Sequence, residues 1–132
     1  MHLAVTNTIY SLFNSSSWRS LNIPTYPSNY NQNITDKEFI RFNILTGRTA
    51  LNYYGVGKKS FGLIIISIFV ESGIGEKRIA EIATHLDTLL QYKAFDNGIG
   101  LGTSSLAAGS IDEVQKSLYR TEYTINMTYI GE

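Results

Sequence analysis

The chain has 132 residues, 43% of them apolar, with 11 Lys and Arg against 11 Asp and Glu and no cysteine. This is enough for a single domain, residues 1–132, around one core, and it argues against wholesale disorder. Zero formal net charge offers no global field for nucleic acid or an anionic membrane, and without thiols there are no disulfides and no thiolate metal sites.

Residues 2–13 place Val5, Ile9, Leu12 and Phe13 at helical spacing, which predicts a short N-terminal helix. The first residues lack a basic start and soon turn polar, so no secretory signal fits; a soluble intracellular protein made without processing is expected. The polar run Asn14, Ser15, Ser16, Ser17 ends the helix because these side chains compete for backbone hydrogen bonds, leaving Trp18 and Leu21 to pack back on the core. Pro24 and Pro27 bracket a segment that reads as an edge strand or an extended arm, since proline cannot donate to a sheet ladder. Residues 28–37 read as a loop.

Ile40, Phe42 and Ile44 alternate with Arg41 and Asn43, the mark of a half-buried strand over 39–45. Thr46, Gly47 and Arg48 are expected to break it, 49–54 to form another short strand, and 55–60 a flexible basic turn. The run 61–70, FGLIIISIFV, predicts a central strand buried on both faces at least near 63–66. It is too short to span a bilayer as a helix and contains Ser67, so no membrane is expected as a partner. After Gly73 and Gly75 a helix follows with Ile79, Ile82, Ala83, Leu86 and Leu90 on one stripe and Glu81, His85 and Thr88 opposite. The glycine-rich stretch 94–109 fits either a twisted hairpin or an irregular loop. The final segment alternates Tyr119, Thr121, Tyr123, Ile125, Met127 and Tyr129 against Arg120, Glu122, Thr124, Asn126 and Thr128, a long strand able to outrun its sheet. Together these elements make a small sheet-and-helix module.

Few residues offer chemistry. Gly73-Ile74-Gly75 lacks the third glycine and the distal acidic residue of a dinucleotide fingerprint, so it reads as a chain reversal. Gly57-Lys58-Lys59-Ser60 differs from a phosphate loop by an extra lysine and by the strand that follows. His85 and Glu81 lie one turn apart and can share a proton or a weak metal, but two ligands do not close a zinc site; an exposed histidine is the plainer reading. No motif presents a serine to His85 as base. Glu71 and Glu76 flank the glycine turn, and Asp112 and Glu113 are sequence neighbours that point apart; none stands out from solvated charges. No catalytic residue, cofactor site or metal site is assigned, and the chain is not expected to be an enzyme.

The basic residues Arg48, Lys58 and Lys59, with Tyr53 and Tyr54 between them, fit a solvated loop or a protein interface, where Tyr and Arg are favoured anchors. Single-stranded nucleic acid is the weaker reading, given the neutral charge. The nine tyrosines add to this, because a phenol suits half-wet contacts. Arg48, Tyr53, Tyr54, Lys58, Lys59, Tyr119 and Tyr123 are therefore the candidate interface residues.

The order of these pieces resembles the tail terminator (tail completion) proteins of long-tailed bacteriophages and related minor tail proteins. The likeness runs from about residue 3 to 130: the N-terminal helix, IPTYPSNYNQ, FIRFNILTGRT, the block FGLIIISIFVESGIGEKRIAEIATHLDTLL, the glycine-rich stretch and YRTEYTINMTYI. It is a pattern of elements with no catalytic motif. The resemblance implies an α+β fold, a single mixed or antiparallel sheet with two helices packed on one side, in a subunit that forms a homo-oligomeric ring, usually a hexamer, at the head-proximal end of the virion tail, assembled in the host cytoplasm. Its implied partners are further copies of itself, the tail tube protein and a neck or head-completion protein, with DNA passing through the bore without specific recognition. The expected contact surfaces are the 48–59 loop, the glycine-rich segment after Asp96 and the outer face of the last strand. A neck or head-closure protein is the alternative within this class. A small enzyme or ligand-binding domain using residues 73–76 and His85 is the alternative outside it.

Overall fold

The computed structural model describes residues 2–27, 37–51, 58–73, 76–95, 98–111 and 118–131. In chain order these are α1 (His2–Phe13), α2 (Ser16–Arg19), β1 (Thr25–Pro27), β2 (Phe39–Leu51), β3 (Lys58–Glu71), α3 (Lys77–Leu90), β4 (Ile99–Leu106), β5 (Ser110–Ile111) and β6 (Leu118–Gly131). The six strands form one mixed sheet in the order β1-β2-β3-β6-β4, with β5 also paired to β6. Only the β1–β2 pair is parallel; the rest are antiparallel. The expected α+β class holds, with a one-turn helix, α2, added to the two foreseen.

One face of the sheet carries the main core. Ile40 and Phe42 of β2, Ile64, Ile66, Ile68 and Val70 of β3, and Thr121, Tyr123, Ile125 and Met127 of β6 all point to it and are buried. The register sets them in rows, such as Phe42, Ile66 and Tyr123 side by side. Helix α3 closes over the centre with Ile79, Ile82, Ala83, Leu86, Leu89 and Leu90, a stripe that includes every residue its periodicity predicts. Helix α1 covers β2 through Val5, Ile9 and Phe13. Phe13 stacks on Phe42 at 4.8 Å between ring centroids and meets Trp18 edge-on at 5.5 Å. The Trp18 indole N–H donates to Thr25 Oγ1 at 2.9 Å, tying α2 to β1. Burying one such aliphatic side chain is worth about 1.5–3 kcal/mol, so this layer dominates the stability.

The second face is different. Among the described residues no helix lies on it. Leu63 is 38% and Phe61 41% exposed, and Ile65 is half-buried. The expectation of a strand buried on both sides near 63–66 is therefore corrected: an unbroken apolar run does not by itself report what lies above each face. The predicted break at 46–48 is also corrected. β2 is continuous to Leu51, and its pairing with β3 shifts between Thr46 and Thr49, which is a bulge. At residue 62 the ladder tolerates only glycine, because a Cβ there would sit 2.5 Å from the Leu45 carbonyl oxygen. The reversal into α3 places Gly73 at φ +91°, a conformation that glycine adopts without penalty.

The glycine-rich region folds as the hairpin alternative. The Leu101 amide donates to the Lys93 carbonyl and the Phe95 amide to the Ile99 carbonyl, at 2.7 and 2.8 Å. The β4–β6 register then shifts between Leu101 and Ser104.

Candidate interaction surface

Two polar arrangements decorate the sheet, one on each face. On the covered face, the β4 bulge re-aims the strand so that Ser104 falls opposite Ile125, on the helix side. The Ser104 hydroxyl lies 2.6 Å from Asp87 Oδ1 and 2.8 Å from Gln91 Oε1, and the Tyr123 hydroxyl donates to the same Asp87 oxygen at 2.6 Å. This set joins α3 to β4 and β6 at the edge of the core. Burial, and then the Asp87 carboxylate, push the Tyr123 phenol well above the usual tyrosine range.

On the uncovered face, Arg41, Ser67 and Glu122 lie in one cross-strand row. Ser67 Oγ donates to Glu122 at 3.1 Å, and Arg120 Nε donates to Glu122 Oε1 at 2.8 Å. The Arg120 and Arg41 guanidiniums stand 5.5 and 5.8 Å from the centre of the Phe69 ring, within cation–π range. Phe69 itself stacks on Phe39 at 4.4 Å, in a small second cluster with Leu118 and Tyr26. Further along the same face, Asn43, Leu45, Phe61, Leu63, Ile65, Thr124, Asn126 and Thr128 follow the alternation, and none is charged.

The sequence-predicted interface residues divide. Arg48 lies within the β2 bulge, while Lys58 and Lys59 sit opposite Leu51 and Ala50 near the far end of the β2–β3 hairpin. Tyr53 and Tyr54 lie outside the described residues. Tyr119 is half-buried and packs toward the core on the covered face; a Cβ at Gly109 would collide with its ring. Tyr123 is corrected outright: it is 1% exposed and its hydroxyl is engaged by Asp87, so it is a core residue and offers nothing to a second chain. Alternation placed Tyr119 and Tyr123 on a common face correctly, but the face is the one under the helices.

His85 and Glu81, weighed as a proton-sharing or metal pair, are not brought together. His85 borders an apolar cleft of about 390 Å³ between α1–α2 and α3, beside Leu12, Trp18, Leu21, Leu89 and Lys93. Glu81 does not reach it; Glu81 accepts from Arg78 at 3.1 Å, while Arg78 also grips Glu38 at 2.5 and 2.9 Å. Among the described residues no three His, Asp or Glu side chains gather as a metal set, and no helix is long and apolar enough to cross a membrane. Glu71 and Glu76 line a shallow pocket with Gly73 and Tyr119.

No protein-family model matches the sequence, and no curated protein does. Solved structures do match its fold. One is a chain of the virion of a native gene transfer agent particle, 12% identical, with a TM-score of 0.63 over 93% of this chain and 92% of that one. Another, a protein without a descriptive name, is also 12% identical, with a TM-score of 0.58 over 89% and 84% of the two chains. At that identity the likeness is one of fold.

Proposed function

We propose that this chain is a structural virion protein of the tail terminator type. On this reading it caps the tail tube as a ring, stops tube polymerisation and presents the surface to which the head joins. The observation that carries the reading is the near-full-length match, in both directions, to a chain from a gene transfer agent virion, in agreement with the order of elements in the sequence. The distribution of chemistry supports it: the conspicuous polar groups lock strands and helices together, and one whole sheet face is left without a helical cover among the described residues. A ring subunit needs such surfaces, because every copy must meet two neighbours, a tube and a connector. The basic hairpin positions Arg48, Lys58 and Lys59 are the part of the predicted interface that suits the tube or the connector.

The test is direct. Added to tail tubes that are still growing, the purified protein arrests elongation and appears in negative-stain images as a ring at one tube end. Tubes that continue to grow uncapped sink the proposal. Binding instead to a portal or connector ring, with tubes ignored, selects the neck-protein reading.

A further inference from the structure

The cationic end of the uncovered sheet face is built unlike an ordinary solvated surface. Two adjacent rows of the ladder make it: Phe39, Phe69 and Arg120 side by side, and next to them Arg41, Ser67 and Glu122. Phe39 and Phe69 are 2% and 3% exposed, so the stack they form is a dry bed. Both guanidiniums stand against the one Phe69 ring, although like charges brought together repel. One carboxylate lies in this cluster, and it is already engaged. Glu122 pairs with Arg120 Nη2 at 2.7 Å and also accepts from Arg120 Nε and from Ser67. Of the other acids on or beside these strands, Glu38 is held by Arg78, and Glu71 lines the pocket it shares with Gly73, Glu76 and Tyr119. Arg41 is left over. Among the described residues no ion pair neutralises it, and its Nε is buried without a hydrogen-bond partner. A cation placed only for solubility leaves its donors in water; a buried donor without an acceptor costs the fold stability. Thr or Val would suit the strand better. An arginine at such a position answers to something outside the fold.

We propose that Arg41 and Arg120, set against the Phe69 ring, are a receptor for one carboxylate, presented by an acidic side chain of a partner protein. Two guanidiniums against one internal carboxylate leave one positive charge to be met, and a single carboxylate meets it. The planar guanidinium fork matches the two carboxylate oxygens. The aromatic bed keeps water from one side of the pair, which strengthens the contact. Nucleic acid is the poorer fit. Its backbone calls for a run of cations, whereas Glu122 sits within this cluster and the chain has zero formal net charge. The receptor stands on one chain's own geometry; that its carboxylate belongs to a tail or connector subunit rests on the reading above.

The experiment follows the arginine Nε–Hε signals of the full chain in nitrogen-15 NMR spectra at fixed ionic strength. The probe is acetyl-glutamate-amide, which carries the side-chain carboxylate alone. Acetyl-glutamine-amide, inorganic phosphate and a short oligothymidylate are the other arms. The carboxylate probe produces saturable shifts at Arg41 and Arg120 and none at Arg19, an exposed arginine on α2. The glutamine amide produces none. In Arg41→Gln, whose fold is checked by a thermal melt, the Arg120 shift is lost; should that variant fail to fold, Arg120→Gln read at Arg41 takes its place. Equal shifts at Arg19, or an Arg120 shift that survives Arg41→Gln, overturn the proposal, and so does tighter binding of phosphate or oligothymidylate. The partner is read in the tube-arrest experiment, where Arg41→Gln caps about tenfold fewer tube ends than the wild type at equal concentration, the loss expected for one charged hydrogen-bonded contact. Unchanged capping overturns the assignment of the carboxylate to a partner. A wild type that caps nothing refutes the ring reading, and the NMR arms then decide the receptor by themselves.

Discussion

Along β3, Ile64, Ile66 and Ile68 are wholly buried, while Leu63, one residue away on the other side, keeps more than a third of its surface in solvent. The two sides of this strand are almost equally apolar in sequence. They differ in what the rest of the chain places above them: α1 and α3 on one, no helix among the described residues on the other. Each side also carries a polar lock. The Tyr123–Asp87–Ser104 set is part-buried at the edge of the core and ties helix to sheet, whereas the Arg120–Glu122–Ser67 set runs from a part-buried serine to an exposed arginine and ties strand to strand. Apolar content therefore sets the strand, and the neighbouring layers decide which of its residues hold the fold.

The sharpest way to break this contrast is a truncation on each side. Ile66→Ala should cost about 2–5 kcal/mol in denaturant unfolding, because it opens a cavity between Phe42, Tyr123 and α3. An equal loss from Leu63→Ala would mean that its face is covered after all. Next in size is Tyr123→Phe, which removes a hydrogen bond to a carboxylate and should lower stability by about 1–3 kcal/mol. It should also change the alkaline limb. The folded phenol keeps its proton above the ordinary range, near 10. That contribution is intact below about pH 10 and is lost as the pH rises beyond it, since the unfolded tyrosine ionises there first. The fall of Tm above pH 10 should accordingly be shallower in Tyr123→Phe.

Arg120→Gln, on the exposed lock, should cost no more than about 1 kcal/mol, and its effect should shrink in high salt. A loss as large as that of Tyr123→Phe would show that this lock is covered. Smallest of all, Leu63→Lys should shift the stability of the isolated subunit by less than about 0.5 kcal/mol in a thermal melt, whatever it does to assembly.

The sequence made the strongly periodic elements legible. The α3 stripe, the alternation of β6 and the half-buried start of β2 are read off the spacing of Ile79 to Leu90, Tyr119 to Tyr129 and Ile40 to Ile44. It misled where local signals and tertiary context disagree. Gly47 looked like a break, but a bulge absorbed it within a strand that β3 holds in place. Leu63 to Ile66 looked like a doubly covered stretch, because an unbroken apolar run cannot report which of its two faces lies under a helix. For the interface, alternation put Tyr119 and Tyr123 on one face but could not say which; the deciding facts are the seating of α3 and the aim of Ser104 after the β4 bulge.

The pairing at the middle of the sheet has a kinetic consequence. β3 lies between β2, a nearby hairpin partner, and β6, whose Glu122 is 55 positions away from the Ser67 it receives. The most apolar strand thus acquires one neighbour early and the other only after α3, β4 and β5 have been synthesised. Such distant closure slows folding and leaves a sticky, half-zipped edge on the nascent polypeptide. Refolding should therefore be slow for a protein of this size, and yield should depend on keeping that intermediate dilute or guarded by a chaperone.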